Sequence, residues 1–147
     1  MNIVLADKVL FVADGAHWIW DRAIKLLKSL GLKTHQILQL LDFYHAVEHL
    51  HDLAKLITGW GKKERDRWIK TQRHNLRHGK LETFFSALKA VCGKSRNKEL
   101  RRERDYFLVR NKDRLDYGII SNLGLPLGSG AIESAVRRVV NLRMKGP

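Results

Sequence analysis

The sequence predicts an α/β chain carrying a large helical insertion, and three observations predict it. Two short apolar runs, Val9-Leu-Phe-Val-Ala and Ile37-Leu-Gln-Leu-Leu, each run straight into an aspartate. Segments with helical hydrophobic spacing separate and follow them. A long basic stretch with charges at i,i+4 spacing then precedes a last segment of helical periodicity.

Val9 to Ala13 is rich in β-branched and aromatic residues and stops at Asp14-Gly15, which suits a strand buried on both faces. From His17 to Leu30, the residues Ile19, Ala23, Leu26, Leu27 and Leu30 recur at helical spacing, and Gly31 is a C-terminal stop signal. Ile37 to Leu41 is the second strand, ending at Asp42. Phe43 to Ile57 reads as a helix with Val47, Leu50, Ala54 and Ile57 on one stripe, broken by Gly59-Trp60-Gly61. Residues 62–92 predict two basic helices with a break near His78-Gly79, and residues 97–115 a further helix rich in Arg and Glu. The stretch from Gly124 to Gly130 is a loop. Beyond it Ile132, Ala135, Val136, Val139 and Val140 share a helical face, with Ser129 as N-cap. The chain divides into residues 1–58, a basic helical insertion at 59–115, and residues 116–147. Two strands fall short of a usual sheet of about five or six, so the sequence reads as a piece of something longer.

The composition narrows the partners. The 147 residues hold 28 Lys+Arg against 15 Asp+Glu, formally +13. Residues 60–114 alone hold 18 against 7, a net +11. Such a field attracts polyanions, and nucleic acid is the commonest; a solvated basic helical surface is the plainer account. Lys62, Lys63, Arg65, Arg101, Arg102 and Arg104 are the candidate DNA-binding residues. No run approaches the roughly 18 apolar residues of a membrane span, and the start lacks a secretory layout. The lone Cys92 forbids an internal disulfide and a cysteine-built zinc site. A soluble, intracellular protein is expected.

Three acids stand out. Asp14 and Asp42 each follow a strand, and in a parallel sheet the carboxyl ends of strands line the ligand crevice. Glu133 falls in the first turn of the last helical segment. Hard carboxylate oxygens suit Mg²⁺ or Mn²⁺, and two such ions can clamp a phosphodiester in displacement. Each acid also has a plainer role: Asp14 as a turn residue, Asp42 as a helix cap, Glu133 as partner of Arg137.

"VADGAHWIW", "LLDFYHAVEHL" and "GLPLGSGAIESAVRRVVNLRMKG" together resemble the insertion-sequence DDE transposases, in the group related to Mutator-like elements. The resemblance implies a partial ribonuclease H-like fold with its helical insertion at the basic stretch, and a Mg²⁺ or Mn²⁺ centre that cleaves and joins DNA. It implies Asp14 and Glu133 as catalytic metal ligands, and Asp42 with His45 as the signature Asp-x-x-His. It implies transposon ends and target as the DNA, and a bacterial cytoplasm as the setting, on the nucleoid. The family's first catalytic Asp has no counterpart here, because Asp7 is too close to Asp14. The chain is therefore expected to be a C-terminal fragment, inactive alone, that pairs with a missing N-terminal half or with itself.

Two other functions compete. One is a nucleic-acid-binding module without catalysis, in which Trp60, Trp68, Phe84 and Phe85 stack on bases or, more simply, fill the core. The other reads His45-Ala-Val-Glu48-His49 as the H-x-x-E-H pattern of a zinc protease, with Glu82 or Glu99 as third ligand. The basic charge has no part in peptide hydrolysis, and two half-buried helix histidines account for the pair equally well.

Overall fold

The computed structural model describes residues 2–128, so Glu133 and the last helical segment lie outside the described residues. The described chain is mixed α/β and mostly helical, with a two-stranded parallel sheet. Strand β1 is Val9–Ala13, helix α1 is His17–Ser29 and strand β2 is Ile37–Leu41. The strands pair in register from Val9 with Ile37 to Ala13 with Leu41. Both apolar runs thus become strands at the expected residues.

Burial of β1 differs from expectation. All five of its residues are only half-buried: β1 has one strand neighbour among the described residues, Phe11 packs on Trp20 of α1, and Leu10 and Val12 pack against the core cluster. The α1 stripe differs too. Trp20 is the residue of α1 that is buried, packed edge-on against Phe11 with ring centroids 5.3 Å apart, while Leu26 and Leu30 are exposed. The helix stops where Gly31 predicts: Leu32 N–H donates to the Leu27 carbonyl and Gly31 N–H to that of Lys28, which closes the last turn.

Residues 43–105 build a ring of four helices. These are α2 (Phe43–Lys55), α3 (Lys62–Arg77), α4 (Leu81–Cys92) and α5 (Lys98–Asp105). Packing runs α2 to α3, α3 to α4, α4 to α5 and α5 back to α2, so α3 and α5 face each other across the ring. Phe43, Leu50, Leu53, Leu76, Phe84, Leu88 and Phe107 fill the middle. Phe84 is core, as its spacing suggested, and Phe85 packs beside it. Helix α4 carries one Lys and one Glu, so the basic charge expected of both 62–92 helices sits on α3. Where α3 passes α6 (Tyr117–Asn122), Gly79 meets Gly118 so closely that a Cβ on Gly118 would lie 3.0 Å from the Gly79 Cα.

Residues 97–115 are not one helix. Asn97 caps α5 by accepting from Glu99 N–H and Leu100 N–H. After Asp105 the backbone widens into a π-helical turn, Tyr106–Arg110, in which Asn111 N–H donates to the Tyr106 carbonyl five residues back. The Asn111 side-chain amide donates to the same carbonyl at 3.0 Å. A short 3₁₀ turn, Lys112–Arg114, follows. It lays the Arg114 guanidinium over the Trp20 ring at 4.4 Å and against Gln39, tying the far end of this segment to the sheet.

Candidate functional site

The register of β1 with β2 brings Asp14 and Asp42 to the same end of two adjacent strands, and Asp42 N–H donates to the Ala13 carbonyl at 2.8 Å. Both acids line one open cleft of about 530 Å³, with Ile19, Tyr44, His45 and Glu48 on its walls. Their carboxylates differ in environment. Asp14 is exposed, and its Oδ1 accepts from Ala16 N–H at 3.1 Å, at the start of α1. Asp42 is buried, and its Oδ1 accepts from Tyr44 N–H at 2.9 Å and His45 N–H at 3.3 Å. The capping role of Asp42 is therefore real: the second and third residues of the helix present their backbone N–H groups to it.

The backbone at the strand ends is held by two tyrosines that the sequence did not single out. Tyr106 donates its hydroxyl to the Asp14 carbonyl at 3.0 Å, and Tyr117 donates to the Leu41 carbonyl at 2.8 Å. Burial pushes both phenols above their ordinary range, and Asp14, Glu103, Asp42 and Glu48 add to the rise at Tyr106. Gly15 makes the first contact possible. It has φ +92°, and a Cβ there would lie 2.9 Å from the Tyr106 hydroxyl and from Leu41 Cδ1.

A second cleft of about 260 Å³ also has Asp14 in its wall and is lined by His45, His49, Arg102, Glu103, Tyr106 and Arg110. His49 Nδ1 lies 2.6 Å from Glu103 Oε2, and its ring stacks on Tyr106 at 3.6 Å. His45 Nδ1 lies 3.1 Å from Glu48 Oε2. The two histidines share a face, as the H-x-x-E-H reading required, but the carboxylate from another helix is Glu103, which reaches His49, and not Glu82 or Glu99. Among the described residues, no group of three His, Cys, Asp or Glu side chains is placed to hold a metal ion. Asp14 is the described member of the expected metal pair, and Glu133 lies outside the described residues.

The expected DNA-binding residues are split by the helix ring. Lys62, Lys63 and Arg65 start α3, and Arg101, Arg102 and Arg104 lie on α5, opposite. Arg104 is bound to Asp105 at 2.9 Å, which raises its pKa further. Arg102 is the member of the set that lines the cleft beside Asp14. Trp60 and Trp68 are half-buried and tilt against each other at 5.7 Å.

No helix of the described residues is long and apolar enough to cross a membrane. No protein-family model matches this chain, and no curated protein or solved structure matches it either.

Proposed function

We propose that this chain takes part in divalent-metal-dependent cleavage and joining of DNA strands, as the insertion-sequence DDE transposases do. In this reading the core is ribonuclease H-like, and Asp14 and Glu133 hold Mg²⁺ or Mn²⁺ at the strand ends. Asp42 and His45 shape the floor, and DNA is drawn in by the basic helices. The setting is the bacterial nucleoid.

One observation carries the reading. Asp14 and Asp42 converge at one end of the sheet on one open cleft, and the loop at Leu127 and Gly128 closes on Asp42: Phe43 N–H donates to the Leu127 carbonyl at 3.1 Å, and a Cβ on Gly128 would lie 3.2 Å from Asp42 Oδ1. Glu133 follows five positions later. The second reading, DNA binding without catalysis, is favoured by the use of Asp42 as a helix cap, which leaves Asp14 as the one exposed carboxylate directly following a strand among the described residues.

Mn²⁺ binding followed by electron paramagnetic resonance tests the pair. Weak binding is expected in the full chain, and both Asp14→Asn and Glu133→Gln should remove it to the same extent. Retention of the bound Mn²⁺ signal in both variants would show that these two acids do not share an ion.

A further inference from the structure

Two arginines lean into the cleft beside Asp14 without carboxylate partners. Arg102 and Arg110 both line it, both are exposed, and neither makes an ion pair among the described residues. Their neighbours are spoken for: Arg104 binds Asp105, and Arg114 binds Gln39 and covers Trp20.

The backbone explains how they come together. In an unbroken α-helix, residues eight apart point about 80° away from each other. The turn Tyr106–Arg110 is wider, with its bond reaching five residues back, so it winds more slowly and swings Arg110 round toward the side of Arg102. The Tyr106 hydroxyl on the Asp14 carbonyl fixes that turn over the strand end. The start of α1 adds to the field: Gly15 and Ala16 line the same cleft, and the positive end of a 13-residue helix points there. Arg110 also borders the neighbouring cleft of about 540 Å³ along β2.

We propose that Arg102 and Arg110 hold backbone phosphates of a DNA strand laid through this cleft, keeping the strand beside Asp14. The inference rests on the DNA reading above and adds the residues that seat the strand. The planar guanidinium fork matches phosphate geometry better than an ammonium does. Two acids line the cleft as well: Glu103 is bound to His49, and Asp14 opposes the same phosphates while no cation screens it. The cleft thus has a signature of its own: the arginines attract and the aspartate repels.

The test is binding of a fluorescent duplex oligonucleotide of arbitrary sequence to the full chain in EDTA, measured across a range of salt. Each phosphate contact contributes about 0.9 to the slope of log K against log salt. Arg102→Gln with Arg110→Gln should therefore lower the slope by roughly 1.8. Lys89→Gln with Lys94→Gln removes the same charge from the end of α4 and should change it by less than about half of one contact. Asp14→Asn keeps the oxygen that caps Ala16 and should tighten binding. Equal slopes for the two double variants, or no tightening in Asp14→Asn, overturn the proposal. If the wild type binds and only Lys62→Gln with Lys63→Gln and Arg65→Gln lowers the slope, the strand lies elsewhere while DNA binding stands. If the wild type binds no DNA at any salt, both readings fall together.

Discussion

Residues up to Gln36 and residues from Ile37 onward are packed to different depths. The first group holds β1 and α1, and its buried hydrophobic side chains are Trp20 and Leu32. It leaves Leu5 81% and Trp18 62% exposed. The second group supplies every member of the large core cluster, from Leu40 to Ile120. The sheet is thus divided against itself. Strand β2 ends in the fully buried Leu40 and Leu41, while its partner β1 is half-buried throughout. A parallel strand is normally covered on both faces, and β1, with one strand neighbour among the described residues, has Leu10 and Val12 against the core cluster and Phe11 against α1 without any of its residues reaching full burial. The candidate site lies on this boundary. Asp14 belongs to the thinly packed side, and Asp42, His45, Glu103 and Tyr106 to the dense one. The two tyrosine hydroxyls fasten both strand ends to the dense side, so the geometry of Asp14 depends on packing supplied from far along the chain.

The contrast is sharpest in the core. Phe107 is fully buried and meets Phe84 and Tyr106 edge-on at 5.4 and 5.2 Å. Phe107→Ala should cost about 3–5 kcal/mol in urea unfolding, through lost burial and the cavity left behind. Hydrogen exchange should show the same division, with β1 amides exchanging faster than those of α2 and α4. Protection of β1 equal to that of α4 would remove the contrast.

The fastening bonds come next in size. Tyr117→Phe deletes a buried donor to the Leu41 carbonyl and should cost about 1–3 kcal/mol at neutral pH. Both phenols also link stability to alkaline pH. Their folded pKa values are raised, chiefly by burial. Folding therefore favours the protonated form, and this contribution is complete below about pH 10, the ordinary value. It is lost as pH rises from there through the folded values. Stability measured above pH 10 should fall less steeply in Tyr106→Phe with Tyr117→Phe than in the wild type. Identical slopes would mean that these hydroxyls are open to solvent.

What was legible in the sequence is local, and what was not is long-range. The strands, the stop at Gly31 and the breaks at Gly59-Trp60-Gly61 and Gly79 follow from short apolar runs and turn residues, which act over a few positions. The convergence of Asp14 and Asp42 was legible because one parallel pairing suffices to produce it. Glu103 reaches His49 from 54 residues away, and Tyr106 reaches Asp14 from 92, so no spacing rule points to either. The widening after Asp105 had a faint signal in Asn111, whose amide competes for a helix carbonyl. The basic stretch was read as one field because charge counts carry no direction, and the helix ring then set α3 and α5 apart. The α1 stripe failed for a related reason. Periodicity tells which residues share a face and is silent on whether anything covers it.

That uncovered face gives the smallest expected effect. Trp18, Arg22, Leu26 and Leu30 follow at four-residue steps, and the Arg22 guanidinium lies over the Trp18 ring at 5.7 Å. Leu26 and Leu30 are 59% and 51% exposed, so little apolar area there is lost to water on folding. Leu26→Gln and Leu30→Gln should each change stability by no more than about 0.5 kcal/mol, the usual range for surface substitutions. The two sites are close enough to couple, so the double variant is measured too. A combined loss above about 2 kcal/mol would place it among buried-site effects and show that the α1 face is covered in solution. The contrast in depth would then belong to residues 2–128 rather than to the working protein. Dependence of the loss on protein concentration would identify the cover as a second copy. A loss independent of concentration would place the cover within the same molecule.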